Sequence, residues 1–371
     1  MKCSLLTHGN FQPQKFARKV FVKTKIASGI DEFNNLLRIY RKGTSQRAER
    51  WTRWRSHIME ALAGYEHGDI YFIIFPFAES TLAKYLRGEA GHTRLTPRYL
   101  WRQMEGVAGG LAFLHESYLS TTGNDIVSPS IAFHFDLKPE NILIRNGVVM
   151  ISDFGQSKFA KASLEDSSSG VDSDRVFFNY GPPEHNLSTY DKGAREKSNY
   201  NFDIWSLGGI FSELVTFHIK QPAGRQGFLD YRNARRQDDR DAGSRGIVTT
   251  FFLDQYTVKP SVMEQHENLR AEIEARSNKT YEGTRDAWLE NFAGNEFFAL
   301  LTSMLSILTE TIQRPKAVKV QEILGVLCQK AELTADHKPP RNLSLQGRLD
   351  IWQQFRNGLL WDELPKSSRH M

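Results

Sequence analysis

Cysteine is nearly absent from this chain: Cys3 and Cys328 are the only two in 371 residues. Thiols so few and so far apart exclude a disulfide framework and a cysteine-built metal cluster, and they fit a reducing compartment. Long apolar runs are also missing. No uncharged apolar stretch approaches the roughly eighteen residues of a membrane span. The opening Met1-Lys2-Cys3-Ser4-Leu5-Leu6-Thr7-His8 lacks the apolar core of a secretory signal. Glycine is scarce at the start, with Gly9 the only one before Gly29. No zinc pattern, RNA-binding signature or internal repeat occurs. These absences lead to the expectation of an intracellular protein, cytoplasmic or nuclear, with no membrane association and no specific nucleic-acid partner. The sequence carries no signal for an oligomeric state.

What is present suits a large packed fold. Apolar residues make up 40% of the chain and aromatics 12%, enough for a substantial core. Its length suits one large bilobal domain or two domains. The formal charge of +5 is unevenly spread: residues 1–60 carry thirteen Lys/Arg against Asp31, Glu32, Glu49 and Glu60. A solvated basic face is favoured there over nucleic-acid or acidic-lipid binding.

Residues 16–26 read as a strand, and Ile30, Phe33, Leu36, Leu37 and Tyr40 fall at helical spacing over 29–41. Apolar runs at 58–65 and 70–77 flank a tight turn at Glu66-His67-Gly68-Asp69. Pro97 to His115 predicts a long amphipathic helix with proline in its first turn. Strands are expected at 141–144 and 148–151 around Arg145-Asn146-Gly147, since Asn-Gly is a strong hairpin signal. Most of the remainder is helical in pattern. The charge-dense stretch 232–246 is expected to be a surface loop.

The chemistry concentrates in Asp136-Leu137-Lys138-Pro139-Glu140-Asn141-Ile142 and, twelve residues after Asn141, in Asp153-Phe154-Gly155. Two acids and an amide on loops at strand edges suit divalent cations that carry a polyphosphate. Transfer of a phosphoryl group needs metal ligands, a cation on the migrating group and a carboxylate to orient the attacking hydroxyl.

These motifs, in this order, resemble the eukaryotic protein kinase family over roughly residues 15–330. The catalytic loop is matched by His134-Phe135-Asp136-Leu137-Lys138-Pro139-Glu140-Asn141, and the metal-binding triplet by Asp153-Phe154-Gly155. Pro182-Pro183-Glu184 matches the end of the activation segment. Asp203-Ile204-Trp205-Ser206-Leu207-Gly208 matches the buried helix that anchors the catalytic loop, and Arg314 the late arginine that pairs with the acid at Glu184. The linker Ile74-Phe75-Pro76-Phe77-Ala78-Glu79 is similar in style to kinase domains of filamentous fungi.

The resemblance implies an α+β, bilobal protein kinase fold with a small β-rich N-lobe over 1–78 and a large, mainly α-helical C-lobe over 79–330. Residues 331–371 form a C-terminal extension, expected to pack back on the larger lobe. It implies ATP and Mg²⁺ as cofactors, a protein substrate and transfer to Ser or Thr hydroxyls. Asp136 would align the hydroxyl, and Lys138 would neutralise the migrating group. Asn141 and Asp153 would hold the metal ions, with Gly155 turning the backbone at positive φ just after the ligand. Phe75 and Phe77 would border the adenine, with Phe75 as gatekeeper, and His134 would be structural.

The pattern also breaks. The glycine-rich loop is missing, which is expected to reflect a missing upstream segment. Lys19 best matches the strand lysine, with Lys23 and Lys25 in competition. Alignment on Phe33 puts Leu36 where the partner acid belongs. Glu32 lies one turn earlier, so Glu32 as partner and no partner at all both stay open. Phe135 replaces the arginine that gathers an activating phosphate. The serines at 163, 167, 168, 169 and 173 are therefore expected to be loop rather than regulatory sites. Two functions follow: an active Ser/Thr kinase, or a pseudokinase interaction module that keeps the fold. A small-molecule kinase is disfavoured by Pro182-Pro183-Glu184 and by the Asp203 motif.

Overall fold

The computed structural model describes residues 2–6, 14–42, 54–91, 95–116, 118–122, 125–161, 179–188, 200–234, 251–254, 257–277, 286–309 and 311–336. The smaller lobe is an antiparallel sheet of β1 (Lys2–Leu6), β2 (Gln14–Val22), β3 (Ala63–His67) and β4 (Ile70–Pro76), in the order β1-β2-β4-β3. The strand expected over 16–26 stops at Val22, because β4 begins opposite it at Ile70 and offers no partner beyond. A 3-10 turn at Lys23–Lys25 leads into α1 (Ile26–Lys42). Of the apolar run at 58–65, only the part from Ala63 is strand; Ile58 instead bridges to Ile151 in the other lobe. α1 lies close on the sheet. It buries Leu36 and Ile39, and a Cβ added at Gly29 would sit 2.7 Å from the Phe21 ring.

The larger lobe begins with β5 (Ser80–Thr81), α2 (Leu82–Leu86) and α3 (Pro97–His115). α3 has the expected bounds: the Thr96 hydroxyl caps it by accepting from the Tyr99 amide at 3.2 Å. Trp101 on α3 is fully buried, with ring contacts to Phe211 at 5.3 Å and Phe297 at 5.0 Å. Strands β6 (Tyr118–Thr122) and β7 (Asp125–Phe133) follow, then the hairpin β8 (Ile142–Arg145) and β9 (Val148–Ile151). Its turn places Asn146 at φ 49° and Gly147 at φ 81°, the left-handed pair for which Asn-Gly is selected. β10 (Lys158–Lys161) pairs with β7, so a sheet ordered β10-β7-β6 stands in a lobe expected to be mainly helical.

The rest is α4 (Pro183–Ser188), α5 (Tyr200–Ala234), the pair β11 (Phe252–Asp254) and β12 (Thr257–Val258), α6 (Pro260–Ser277), α7 (Ala287–Phe292), α8 (Asn295–Met304) and α9 (Ala317–Asp336). α5 breaks at Gln221, whose φ is 61°, directly before Pro222; a proline there cannot donate to the helix ladder. Together these elements give the bilobal α+β architecture that the motifs implied. Arg232, expected in a surface loop, is instead on α5 and only 2% exposed. Its reason for burial is Glu213, one of whose oxygens it bonds at 3.0 Å. The serines 163–173, the rest of the 232–246 stretch beyond residue 234, and residues 337–371 of the C-terminal extension lie outside the described residues. Among the described residues, no helix is long and apolar enough to cross a membrane.

Candidate active site

A cavity of about 850 Å³ opens between the lobes. Ala17 and Lys19 of β2 line it from the smaller lobe, Phe75 and Phe77 lie where β4 leaves that lobe, and Leu143 of β8 and Asp153 line it from the larger lobe. Phe75 is buried and pairs across the sheet with Ala17. The Lys15 ammonium lies 5.8 Å from the Phe77 ring centroid. An apolar slot with a few charged groups at one end is the usual form of a ligand pocket.

The charged end is built around Lys19. Its Nζ donates to Glu32 Oε1 at 2.9 Å, to Glu32 Oε2 at 2.7 Å and to Asp153 Oδ1 at 2.8 Å. Lys23 and Lys25, the competitors, are exposed, and Lys23 reaches only Asp69, at 3.5 Å. Leu36, where alignment would have put the acid, is core. Burial opposes the charge on Lys19, but the carboxylates of Glu32 and Asp153 outweigh it and hold the ammonium above its ordinary range. For Asp153, burial would raise the carboxyl, yet Lys19 outweighs it and holds it below the ordinary range. For Glu32 the balance goes the other way: burial dominates Lys19 and the carboxyl is raised.

Two details of this end differ from expectation. The residue at positive φ is Asp153 (φ 63°), not Gly155. Gly155 instead sits in a tight space: an added Cβ would come 3.1 Å from Glu32 Oε2 and 3.3 Å from Asp153 Oδ1, so those carboxylates would have to shift by a few tenths of an ångström. Asn35, which the sequence reading passed over, donates to Phe154 O at 3.2 Å and Ser157 O at 3.1 Å. It stands three residues after Glu32 on the same face of α1, so one helix face holds both the lysine and the triplet.

The opposite side of the site is the loop after β7. Lys138 Nζ donates to Asp136 Oδ1 at 2.9 Å and Oδ2 at 2.7 Å. Asn141 Nδ2 donates to Asp136 O at 2.8 Å and to Asp136 Oδ2 at 2.9 Å. Asp203 on α5, fully buried, fixes the loop by accepting from the backbone amides of His134 and Phe135, both at 2.8 Å. His134 is buried too, with Nε2 3.0 Å from Ser152 O and Nδ1 accepting from the Asp136 amide at 3.2 Å. Its ring is occupied by backbone, as a structural residue requires.

The donor set fits a hard divalent cation. Both amide hydrogens of Asn141 are spent on Asp136, which leaves its carboxamide oxygen for a cation, and Asp153 offers a carboxylate lining the same cavity. Among the described residues, no group of three or more His, Cys, Asp or Glu could hold a metal alone. Two protein oxygens without a full cage are the arrangement Mg²⁺ takes when phosphate oxygens complete its shell.

Phe135, at φ 60°, occupies the place of the phosphate-gathering arginine. It packs with Phe133, Ala160 of β10 and Phe202 of α5, its ring 5.2 Å from that of Phe202. Apolar packing therefore joins the loop to the segment after the triplet. Farther out, Arg314 Nη2 donates to Glu184 Oε2 at 3.0 Å and its Nη1 to Glu184 Oε1, with further bonds to Asn201 O at 3.1 Å and Ser306 O at 2.9 Å.

The sequence matches a known family and several known proteins. The family model described as protein kinase domain matches residues 14–306, well over half of the chain. Cyclin-dependent kinase E-1 of Arabidopsis thaliana is 29% identical over 157 residues, covering 39% of this chain and 28% of that protein. Mitogen-activated protein kinase 9 of Arabidopsis thaliana is 32% identical over 163 residues, 43% of this chain and 27% of that protein. Mitogen-activated protein kinase 12 of Oryza sativa subsp. japonica is 32% identical over 163 residues, 43% and 24%. The match thus spans about a quarter of the length of these relatives. The family model's match over most of its length shows that this chain belongs to the protein kinase domain family.

Proposed function

We propose that this chain transfers the γ-phosphoryl group of ATP, with Mg²⁺, to Ser or Thr hydroxyls of a protein substrate. One observation carries the reading: Lys19 bonds Glu32 and Asp153 together, at 2.7–2.9 Å, on the cavity that Asn141 also lines. Adenine would lie in the apolar slot bordered by Phe75 and Phe77, and Lys19, held by Glu32, would receive the phosphates. Asp136 would accept a hydrogen bond from the substrate hydroxyl and orient it for in-line attack. Lys138 would neutralise the transferring group, and its presence suits Ser/Thr over Tyr acceptors. Mg²⁺ held by Asn141 and Asp153 would offset phosphate charge.

The relatives' names support this reading, and so does the preserved chemistry. Intracellular placement, cytoplasmic or nuclear, is part of the same proposal, as is the division into lobes at 1–78 and 79–330 with an extension over 331–371. The last boundary falls within α9, which continues to Asp336. A second reading, an interaction module with little turnover, rests on the glycine spacing: the sequence holds no glycine between Gly9 and Gly29.

The test is incubation of the chain with radiolabelled ATP, Mg²⁺ and a generic serine substrate, comparing the wild type with Glu32→Gln. Replacing a charged hydrogen-bond partner costs about 1.5–3 kcal/mol, so labelling should fall roughly ten- to hundredfold in Glu32→Gln. Equal labelling by the two proteins would contradict the role given to Lys19 and Glu32.

A further inference from the structure

A second cavity, of about 370 Å³, lies against the catalytic loop, lined among others by Asp136, Lys138, Tyr180, Leu229 and Arg232. Arg232 is the unusual member. It is 2% exposed, and its Nη2 bonds Glu213 Oε1 at 3.0 Å, but its Nε and Nη1 are buried with no hydrogen-bond partner. The rings of Phe251 and Phe228, with centroids 3.9 Å and 4.7 Å from the guanidinium carbon, pack on it but accept from no N–H. Buried guanidinium donors normally find acceptors.

Charge points the same way. Glu213, fully buried, is shared between Arg232 and Arg225, whose Nη2 lies 2.6 Å and Nε 3.0 Å from Glu213 Oε2. The Tyr180 hydroxyl donates to Glu213 Oε1 at 2.9 Å. Two guanidiniums against one carboxylate leave an excess positive charge in a dry place, which is costly unless an anion arrives. The other charges on this cavity do not supply it. Asp136 is closed on Lys138 at 2.7 Å, and Glu140, although it acts on Arg225 and Tyr180, is exposed, so solvent weakens its pull. A basic side chain would find Glu213 already taken.

We propose that this cavity is a substrate subsite for an anionic side chain close to the acceptor residue, with Arg232 as its specificity determinant. The proposal rests on the protein kinase reading above and names the class of substrate: peptides with a carboxylate or phosphate beside the Ser or Thr. A bidentate guanidinium would bind either group. Asp136 lines the same cavity, so the anion would sit within about two residues of the acceptor, given the ~3.3 Å advance per residue of an extended chain.

The experiment uses the full chain and peptides with one serine, each flanking position in turn carrying Glu, phosphoserine, Ala or Arg. Binding is read by fluorescence anisotropy alongside kcat/KM, so an inactive chain would overturn the kinase reading while still testing the subsite. The expected result is one position where Glu or phosphoserine binds about tenfold tighter than Ala, the scale of a charge-assisted hydrogen bond. The two arms distinguish an acidic from a phosphorylated substrate. In Arg232→Met, which keeps contact with Phe251, that ratio should fall to about one. A wild type that binds Ala or Arg peptides as well as the acidic ones overturns the proposal, whether or not the variant folds. So does an unchanged ratio in a folded Arg232→Met.

Discussion

Asp136→Asn should lower phosphoryl transfer by about 10²–10⁴-fold, the usual contribution of a positioned general base. The carboxylate is held at two oxygens by Lys138 and at one by Asn141, with its side chain 14% exposed at the edge of a cavity. Asparagine keeps the size and one oxygen, so the loop should hold its shape. What changes is that a neutral amide orients and deprotonates a serine hydroxyl poorly. ATP affinity should stay within a few fold, since Lys19, Glu32 and Asp153 make their contacts without Asp136. Single-turnover rates and nucleotide titration of both proteins check the two halves of the statement. A variant that transfers phosphate at more than a tenth of the wild-type rate would remove Asp136 from the chemistry.

Asp203→Ala should instead strike the fold. Its buried carboxylate accepts from two backbone amides at 2.8 Å and lies 2.9 Å from His115 Nε2. One of those amides belongs to Phe135, which is held at φ 60°, a left-handed conformation that costs a bulky residue about 1–2 kcal/mol. Alanine leaves both amides buried and unpaired, at roughly 1–3 kcal/mol each. The sum is a loss of about 3–5 kcal/mol, or a fall in Tm of roughly 5 °C for a chain of this size. Calorimetry and urea unfolding read it directly. A Tm within about 2 °C of the wild type would mean the loop keeps its shape without Asp203.

The sequence made the lower half of the site readable because that half is local. Asp136, Lys138 and Asn141 lie within one loop, and the Asp153 triplet directly follows β9, so residue type and spacing were enough to bring them forward. The upper half depends on packing between elements. Whether Lys19 had a partner turned on how α1 rotates against β2, and matching on Phe33 pointed to Leu36, a core residue. α1 lies close on the sheet at Gly29, and Glu32 bonds the lysine from that helix. Gly155 was noticed for the wrong reason: it is not at positive φ, and what marks it is the tight space beside Glu32 and Asp153. Arg232 was hidden more deeply. In sequence it opens a charge-dense stretch that reads as solvent-facing, whereas its burial depends on Glu213 nineteen residues earlier. The break at Gln221 and Pro222 is what allows the far half of α5 to return Arg225 and Arg232 to that acid. The sheet joining β7 to β10 was missed because its pairing spans the catalytic loop and the triplet, which no local pattern records.

The most direct measurement is the initial rate at which the folded wild-type chain transfers labelled γ-phosphate to serine, taken across a Mg²⁺ titration at saturating ATP. The arrangement of Lys19, Asp136, Asn141 and Asp153 predicts a rate that rises with Mg²⁺ to a plateau, vanishes when the metal is chelated, and exceeds that of Asp136→Asn by at least about 10²-fold. A folded wild-type chain whose rate equals that of Asp136→Asn at every Mg²⁺ concentration would contradict it.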